Sequence, residues 1–310
     1  MPERRRPGAP SEGAVPMAVD AAAPTVGAVV RQTAEALVRD GAPNAAMAAR
    51  EIVAALLDVG RHWTVLHGGE RADAMLLARA LQSARRLADG MPFQYAVGRA
   101  SFRRLTLDVD PRVLIPRPET ELLVEFVLEL TRDASGGVAI DVGTGSGAIA
   151  LALAQEGTFA RVIGTDVSAD ALAVAGANAS TLAAVIATPV EFRQGSLLRP
   201  VSEVRARAIV SNPPYIAFEE VAALPASVRD WEPVTALLSG ENGLAATREL
   251  VRGAAERLEG GGVLALEVDA RRASLVAEMV AADAAFADVS VRFDLAGRER
   301  FVLARRRESA

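Results

Sequence analysis

Asn212-Pro213-Pro214-Tyr215 directly follows the apolar run Ala208-Ile209-Val210, so it sits where a buried strand would run out into a site. Proline after asparagine holds residue 212 extended, and the second proline stiffens the turn beyond it. The asparagine oxygen and the nearby carbonyls thereby become fixed acceptors, suited to a planar amino group. An amide or nucleobase nitrogen attacks poorly because its lone pair is delocalised. Accepting both its hydrogens shifts density back onto nitrogen, and Tyr215 offers a flat face to the same group. By itself the segment reads equally well as a Pro-Pro turn.

Its partner lies upstream. Asp141-Val142-Gly143-Thr144-Gly145-Ser146-Gly147 stands between the apolar run Val138-Ala139-Ile140 and a helix-like stretch, 148–155. Gly143, Gly145 and Gly147 give a strand-to-helix turn whose backbone can approach a ligand closely. The dinucleotide fingerprint would need glycine at 148, where this chain has Ala148, and the absence of any lysine excludes a nucleotide-triphosphate loop. Asp166 ends the next apolar run, Arg161-Val162-Ile163-Gly164-Thr165, where an acid can accept hydrogen bonds from both ribose hydroxyls. That role serves NAD and S-adenosylmethionine alike, and a plain cap for the helix after Ser168 is the bland alternative. Asn212 to Tyr215 breaks the tie in favour of methyl transfer, with S-adenosylmethionine as donor and S-adenosylhomocysteine as product.

The elements that must position these residues are legible as well. The chain has 310 residues, 51% hydrophobic and 24% charged, enough for two cores. No apolar stretch is long enough to span a bilayer and no secretory signal is evident, so a cytoplasmic location without membrane attachment is the expectation. With no cysteine, and with His62 and His67 remote from the motifs, no metal is expected. A net charge of −5 argues against extensive nucleic-acid binding. Residues 1–22 read as a disordered leader, with Met17 as an alternative start. Residues 23–91 carry helical periodicity, as in Val29, Val30, Ala34, Leu37 and Val38, and predict a helical bundle in which His62 and Trp63 pack or rim the surface. Residues 92–116 alternate (Phe102, Leu105, Leu107, Val109, Val113, Ile115) and predict a β-hairpin linker broken at Asp110-Pro111. Residues 117–310 open with a helix at Pro118-Glu119-Thr120-Glu121, Glu119 lying at its mouth and Glu121, Glu125 and Glu129 on a solvated face. They continue as strands near 138–142, 161–165, 188–192, 207–211 and 261–268, a helix around 272–282, and a late strand pair near 289–294 and 300–305. That alternation predicts an α/β domain with a mostly parallel sheet and a ligand site at the strand carboxyl ends.

On these motifs the chain resembles the release-factor glutamine methyltransferases over nearly everything after about residue 25. The blocks carrying the resemblance are Phe93 to Gly98, Val113 to Glu121, Asp141 to Gly147, Asp166, Asn212 to Tyr215, Trp231-Glu232-Pro233, Gly240 to Gly243 and Asp294 to Arg298. The resemblance implies a seven-stranded class I, Rossmann-like methyltransferase domain behind a helical, substrate-binding domain. It implies methylation of the side-chain nitrogen (N5) of the Gly-Gly-Gln glutamine in class 1 peptide release factors; separately, a monomer is the expectation. Carried over by position, Asp141, Gly143, Thr144, Gly145, Ser146, Gly147, Asp166, Leu197 and Asn212 would hold the cofactor, with Leu197 near the adenine. Asn212, Pro213, Pro214 and Tyr215 would hold the substrate, and Asn212, Pro213 and Tyr215 would serve catalysis without a general base. Two positions depart from the family's pattern. Ser196 stands where aspartate is usual, which would weaken adenine recognition, and Asp269 stands where glycine usually ends the fifth strand, with no role assigned. The rival readings are glutamine methylation of a ribosomal protein, N6-adenine methylation of nucleic acid, and a non-catalytic binding protein on a decayed methyltransferase fold.

Overall fold

The computed structural model describes residues 23–308. The expected leader and the question of a start at Met17 lie outside them. The bundle comprises α1 (Val26–Arg39), α2 (Ala45–Leu57), the one-turn α3 (Trp63–Leu66) and α4 (Ala74–Ala88). Short polar side chains open two of these: the Thr25 hydroxyl accepts from the Ala28 amide and the Asp73 carboxylate from the Met75 amide, each satisfying a donor the first turn leaves free. Val29, Leu37, Ile52, Val53, Leu76 and Ala80 close a core of their own. Trp63 packs against that core and stacks on His67, ring centroids 4.2 Å apart.

A short helix, α5 (Phe93–Val97), leads into the hairpin β1 (Arg99–Phe102) and β2 (Leu105–Asp108). The hairpin turns at Arg103-Arg104 and not at Asp110-Pro111. Arg103 takes a left-handed conformation, φ 52°, that a bulky side chain normally avoids. Its guanidinium is held by Glu156 at 2.6 and 2.9 Å and by Glu125 at 3.0 Å. Asp110 makes a separate turn, accepting from the Arg112 amide and guanidinium. Fully buried Phe102 docks the hairpin into the main core; burying such a side chain contributes about 1.5 to 3 kcal/mol.

The larger domain begins at α6 (Pro118–Thr131), with proline in its first turn and Glu119 and Glu121 at the positive end of its dipole. It continues as β3 (Val138–Val142), α7 (Ala148–Glu156), β4 (Arg161–Asp166), α8 (Ala169–Thr181), β5 (Val190–Gln194) and β6 (Ala206–Ser211). A long excursion carries α9 (Ala226–Arg229), α10 (Val234–Leu237) and the one-turn α11 (Gly240–Gly243). Then come α12 (Ala245–Arg257), β7 (Leu258–Glu267), α13 (Ala273–Ala281), β8 (Phe286–Phe293) and β9 (Glu299–Arg306). The seven-stranded sheet runs β5-β4-β3-β6-β7-β9-β8, parallel except for β9, which is antiparallel to both β7 and β8. Alternate residues face opposite sides. Ala139, Val162, Ala208 and Ala265 pack with α6 and α7, while Ile140, Ile163, Ile209 and Leu264 pack with α12 and α13. Chain order reverses between β3 and β6, which puts a crevice above their carboxyl ends.

Candidate active site

The first wall of that crevice is the turn after β3. Asp141 is fully buried, and its Oδ2 accepts from the Thr144 hydroxyl (2.6 Å) and the Ala150 amide (3.0 Å). Burial pushes its carboxyl up to about 7 against those two hydrogen bonds. Its Oδ1 has no hydrogen-bond partner among the described residues. Gly143 and Gly145 adopt φ of 74° and 54°, open to glycine at little strain, and a Cβ at either would meet no protein atom within 4 Å. Both face open space in a cavity of about 310 Å³. Gly147 differs: a Cβ there would press on Leu151, Ala175 and Phe192 at 3.2 to 3.4 Å.

Asp166, at the end of β4, accepts from the Gly145 amide (Oδ2, 3.0 Å) and from the Ser168 amide (Oδ1, 2.9 Å). The cap of α8 is Ser168, whose hydroxyl accepts from the Ala171 amide. Asp166 therefore pins the glycine turn while lining the cavity, and does not cap α8. The third wall is Gly195-Ser196-Leu197. Leu197 sits at φ 49°, its carbonyl held by the Thr165 hydroxyl at 2.8 Å.

The fourth wall is the end of β6. The Ser211 hydroxyl donates to the Val142 carbonyl (2.7 Å), tying β6 to β3 just before Asn212. Asn212 and Pro214 line the large cavity. Asn212 also lines a second, smaller cavity of about 90 Å³, together with Leu114, Arg117, Pro213, Tyr215 and Leu237. Burial is the main reason the Tyr215 hydroxyl is pushed up to about 12, with the nearby Glu267 adding to it; it stays protonated at any ordinary pH.

The structure thus gathers Gly143, Gly145, Asp166, Leu197 and Asn212 around the large cavity, and Pro213 and Tyr215 around the small one. Asp141, Thr144, Ser146 and Gly147 lie behind the surface: Thr144 spends its hydroxyl on Asp141, and the Ser146 carbonyl accepts from Asn178. Ser196 lines the large cavity, as does Glu249. Asp269 is occupied with Arg271 and Arg272, its carboxyl held low by the Arg271 guanidinium and amide against burial. Glu119 pairs with Arg298 at 3.9 Å.

Several supports had motif membership but no role in the sequence. Arg117 donates to both oxygens of buried Glu232 at 2.6 and 2.7 Å, tying the mouth of α6 to the excursion after β6. A Cβ on Gly243 would lie 2.2 Å from the Tyr215 carbonyl oxygen, and its φ is 84°. The preceding Glu241 and Asn242 are also left-handed. The Gly240–Gly243 turn therefore buttresses the backbone of Tyr215, and glycine is required for that approach. No local sequence signal marks these partnerships, since the partners lie far apart along the chain.

A sheet of this order, with its cavity above β3, β4 and β6, is the arrangement of the class I, Rossmann-like methyltransferases. Residues 118–225 match the Methyltransferase small domain family model and residues 28–98 the PrmC N-terminal domain. The release factor glutamine methyltransferase of Deinococcus radiodurans is 40% identical over 279 residues, 90% of this chain and 97% of that protein. The one from Moorella thermoacetica is 44% identical over 230 residues, 74% of this chain and 80% of that protein. Among solved structures, the hMettl16 catalytic domain in complex with the MAT2A 3′UTR hairpin 6 shares the fold, with TM-score 0.52 and 16% identity over 76% of this chain and 82% of that one. The chain belongs to the release factor glutamine methyltransferase family and is a methyltransferase enzyme. No helix among the described residues is long and apolar enough to cross a membrane.

Proposed function

We propose that this enzyme methylates the side-chain amide nitrogen (N5) of the glutamine in the Gly-Gly-Gln loop of class 1 peptide release factors, with S-adenosylmethionine as donor. The observation that carries the reading is the shared wall: Asn212 borders both the larger cavity, ringed by Gly143, Gly145 and Asp166, and the smaller one beside Pro213 and Tyr215. Two ligands seated there would meet at Asn212.

The residues fit the cofactor. Gly143 and Gly145 leave room for close backbone approach, and Asp166 lines the same cavity as an acceptor for ribose hydroxyls. S-adenosylmethionine supplies a methyl group already activated by a sulfonium, so the protein's task is alignment. Asn212 Oδ1 and the Pro213 carbonyl accept the two hydrogens of the substrate amide, which turns the nitrogen lone pair toward the methyl. Tyr215, neutral, adds a flat wall without a charge. Transfer of the methyl from the sulfonium to the amide nitrogen would leave S-adenosylhomocysteine and release one amide proton to solvent, with no general base required of the protein. The helical domain gives the release factor a second surface to rest on, in the cytoplasm where termination occurs.

Labelled methyl transferred to a purified release factor, and not to a variant with the loop glutamine changed to alanine, supports this reading. Label on both, or on neither, refutes it; transfer to a ribosomal protein or to adenine would then replace it.

A further inference from the structure

Asn212 is joined to two residues that line neither cavity, Thr120 and Glu267, in a hydrogen-bonded chain of three side chains. The Asn212 Nδ2 donates to the Thr120 Oγ1 at 3.2 Å, and the Thr120 hydroxyl donates to the Glu267 Oε2 at 2.7 Å. Thr120 comes from the first turn of α6 and Glu267 from the last residue of β7. Both are buried, Thr120 at 5% exposure and Glu267 at 2%.

A planar amide has two nearly isosteric ends, and only its partners decide which end faces the ligand. Thr120 has one hydroxyl proton. With Glu267 ionised, as it is above about pH 7, that proton is committed to the carboxylate, so the threonine presents only lone pairs to Asn212, and only the NH2 end of the asparagine can satisfy them. The oxygen is thereby left facing the substrate.

We propose that Thr120 and Glu267 are positioning residues that set the orientation of the Asn212 amide, so that the site presents an acceptor and selects an amino group over an oxygen acceptor at the methylated position. The proposal rests on the reading of Asn212 as the substrate-amide ligand. A reversed asparagine would set its own NH2 against the substrate NH2, two donors with no acceptor between them. A burial this complete is otherwise unfavourable for a carboxyl, as its raised affinity for a proton shows.

Thr120→Val keeps the shape and removes the hydroxyl; Thr120→Ser keeps the hydroxyl and removes a methyl. With the full-length enzyme and a release factor at pH 8, where Glu267 is ionised, Thr120→Val should lower kcat roughly 10 to 100-fold while leaving the dissociation constant for S-adenosylmethionine within about twofold of wild type, and Thr120→Ser should restore most of the rate. Hydrogen exchange of the Asn212 side-chain NH2, followed by NMR on asparagine-labelled protein, should be slow in wild type and in Thr120→Ser and fast in Thr120→Val. The exchange experiment needs no turnover, so it decides the relay even if wild type fails to label the release factor, a failure that would count against the functional reading alone. Equal kcat in Thr120→Val and wild type, or unchanged Asn212 exchange, would overturn the proposal.

Discussion

Replacing Glu267 by glutamine should change how stability depends on pH, in a direction and size that the burial of this carboxyl dictates. Burial is the main cause pushing it from 4.5 up to about 7; the Thr120 hydroxyl, Arg300 and Arg117 pull it down and Glu119 pushes it up. In the unfolded chain the group returns to its ordinary value. Between about pH 4.5 and pH 7 the unfolded state therefore loses this proton while the folded state keeps it. The contribution to stability is complete below about pH 4.5 and is lost as pH rises to about 7. At about 1.4 kcal/mol per unit the loss across the window is on the order of 3 kcal/mol. Glutamine does not titrate. Asp141 shifts in the same direction but is common to both proteins and cancels in the difference. Urea unfolding of both proteins at pH 5, 6 and 8 should show Glu267→Gln gaining on wild type as pH rises, by roughly 2 to 3 kcal/mol between pH 5 and 8. A constant gap between the two proteins at all three values would refute the desolvation argument.

Asn212→Ala removes the acceptor at the meeting point of the two cavities, and should reduce kcat by roughly 100-fold or more while calorimetry finds S-adenosylmethionine binding largely intact. Asp166→Ala loosens the glycine turn and removes the ribose acceptor together, so it should raise the dissociation constant for S-adenosylmethionine about tenfold or more, read by the same calorimetry. Gly243→Ala places a Cβ 2.2 Å from the Tyr215 oxygen at φ 84°. It should cost about 1 to 3 kcal/mol in urea unfolding and depress kcat more than cofactor binding, because the displaced element carries Tyr215 and not the glycine turn.

Much of this site was legible in the sequence because its parts sit on central parallel strands. The apolar runs Val138-Ala139-Ile140 and Ala208-Ile209-Val210 lie within strands that are buried at nearly every residue, and the polar residues that follow them stand out. Asp141, Asp166 and Asn212 are visible for that reason. Their division of labour is not. Asp141 and Asp166 look equivalent in sequence, yet one braces its turn from inside the core while the other faces the cavity. Thr120, Glu232 and Gly243 belonged to recognisable blocks and Glu267 to none of them, but all four acquire their roles only across the fold, Thr120 and Glu267 meeting over 147 positions. The hairpin shows the opposite failure. Asp110-Pro111 has strong turn chemistry and forms a turn, but the strands reverse at Arg103-Arg104, where left-handed Arg103 is held by Glu156 and Glu125, partners distant in sequence.

Methyl transfer to the loop glutamine is tested most directly with labelled S-adenosylmethionine and a purified class 1 release factor, beside the same factor with its Gly-Gly-Gln glutamine changed to alanine. The predicted result is label on the first alone, mapped to the glutamine side chain by mass spectrometry of the loop peptide. Label on the alanine variant, or none on either protein with cofactor bound, would contradict it.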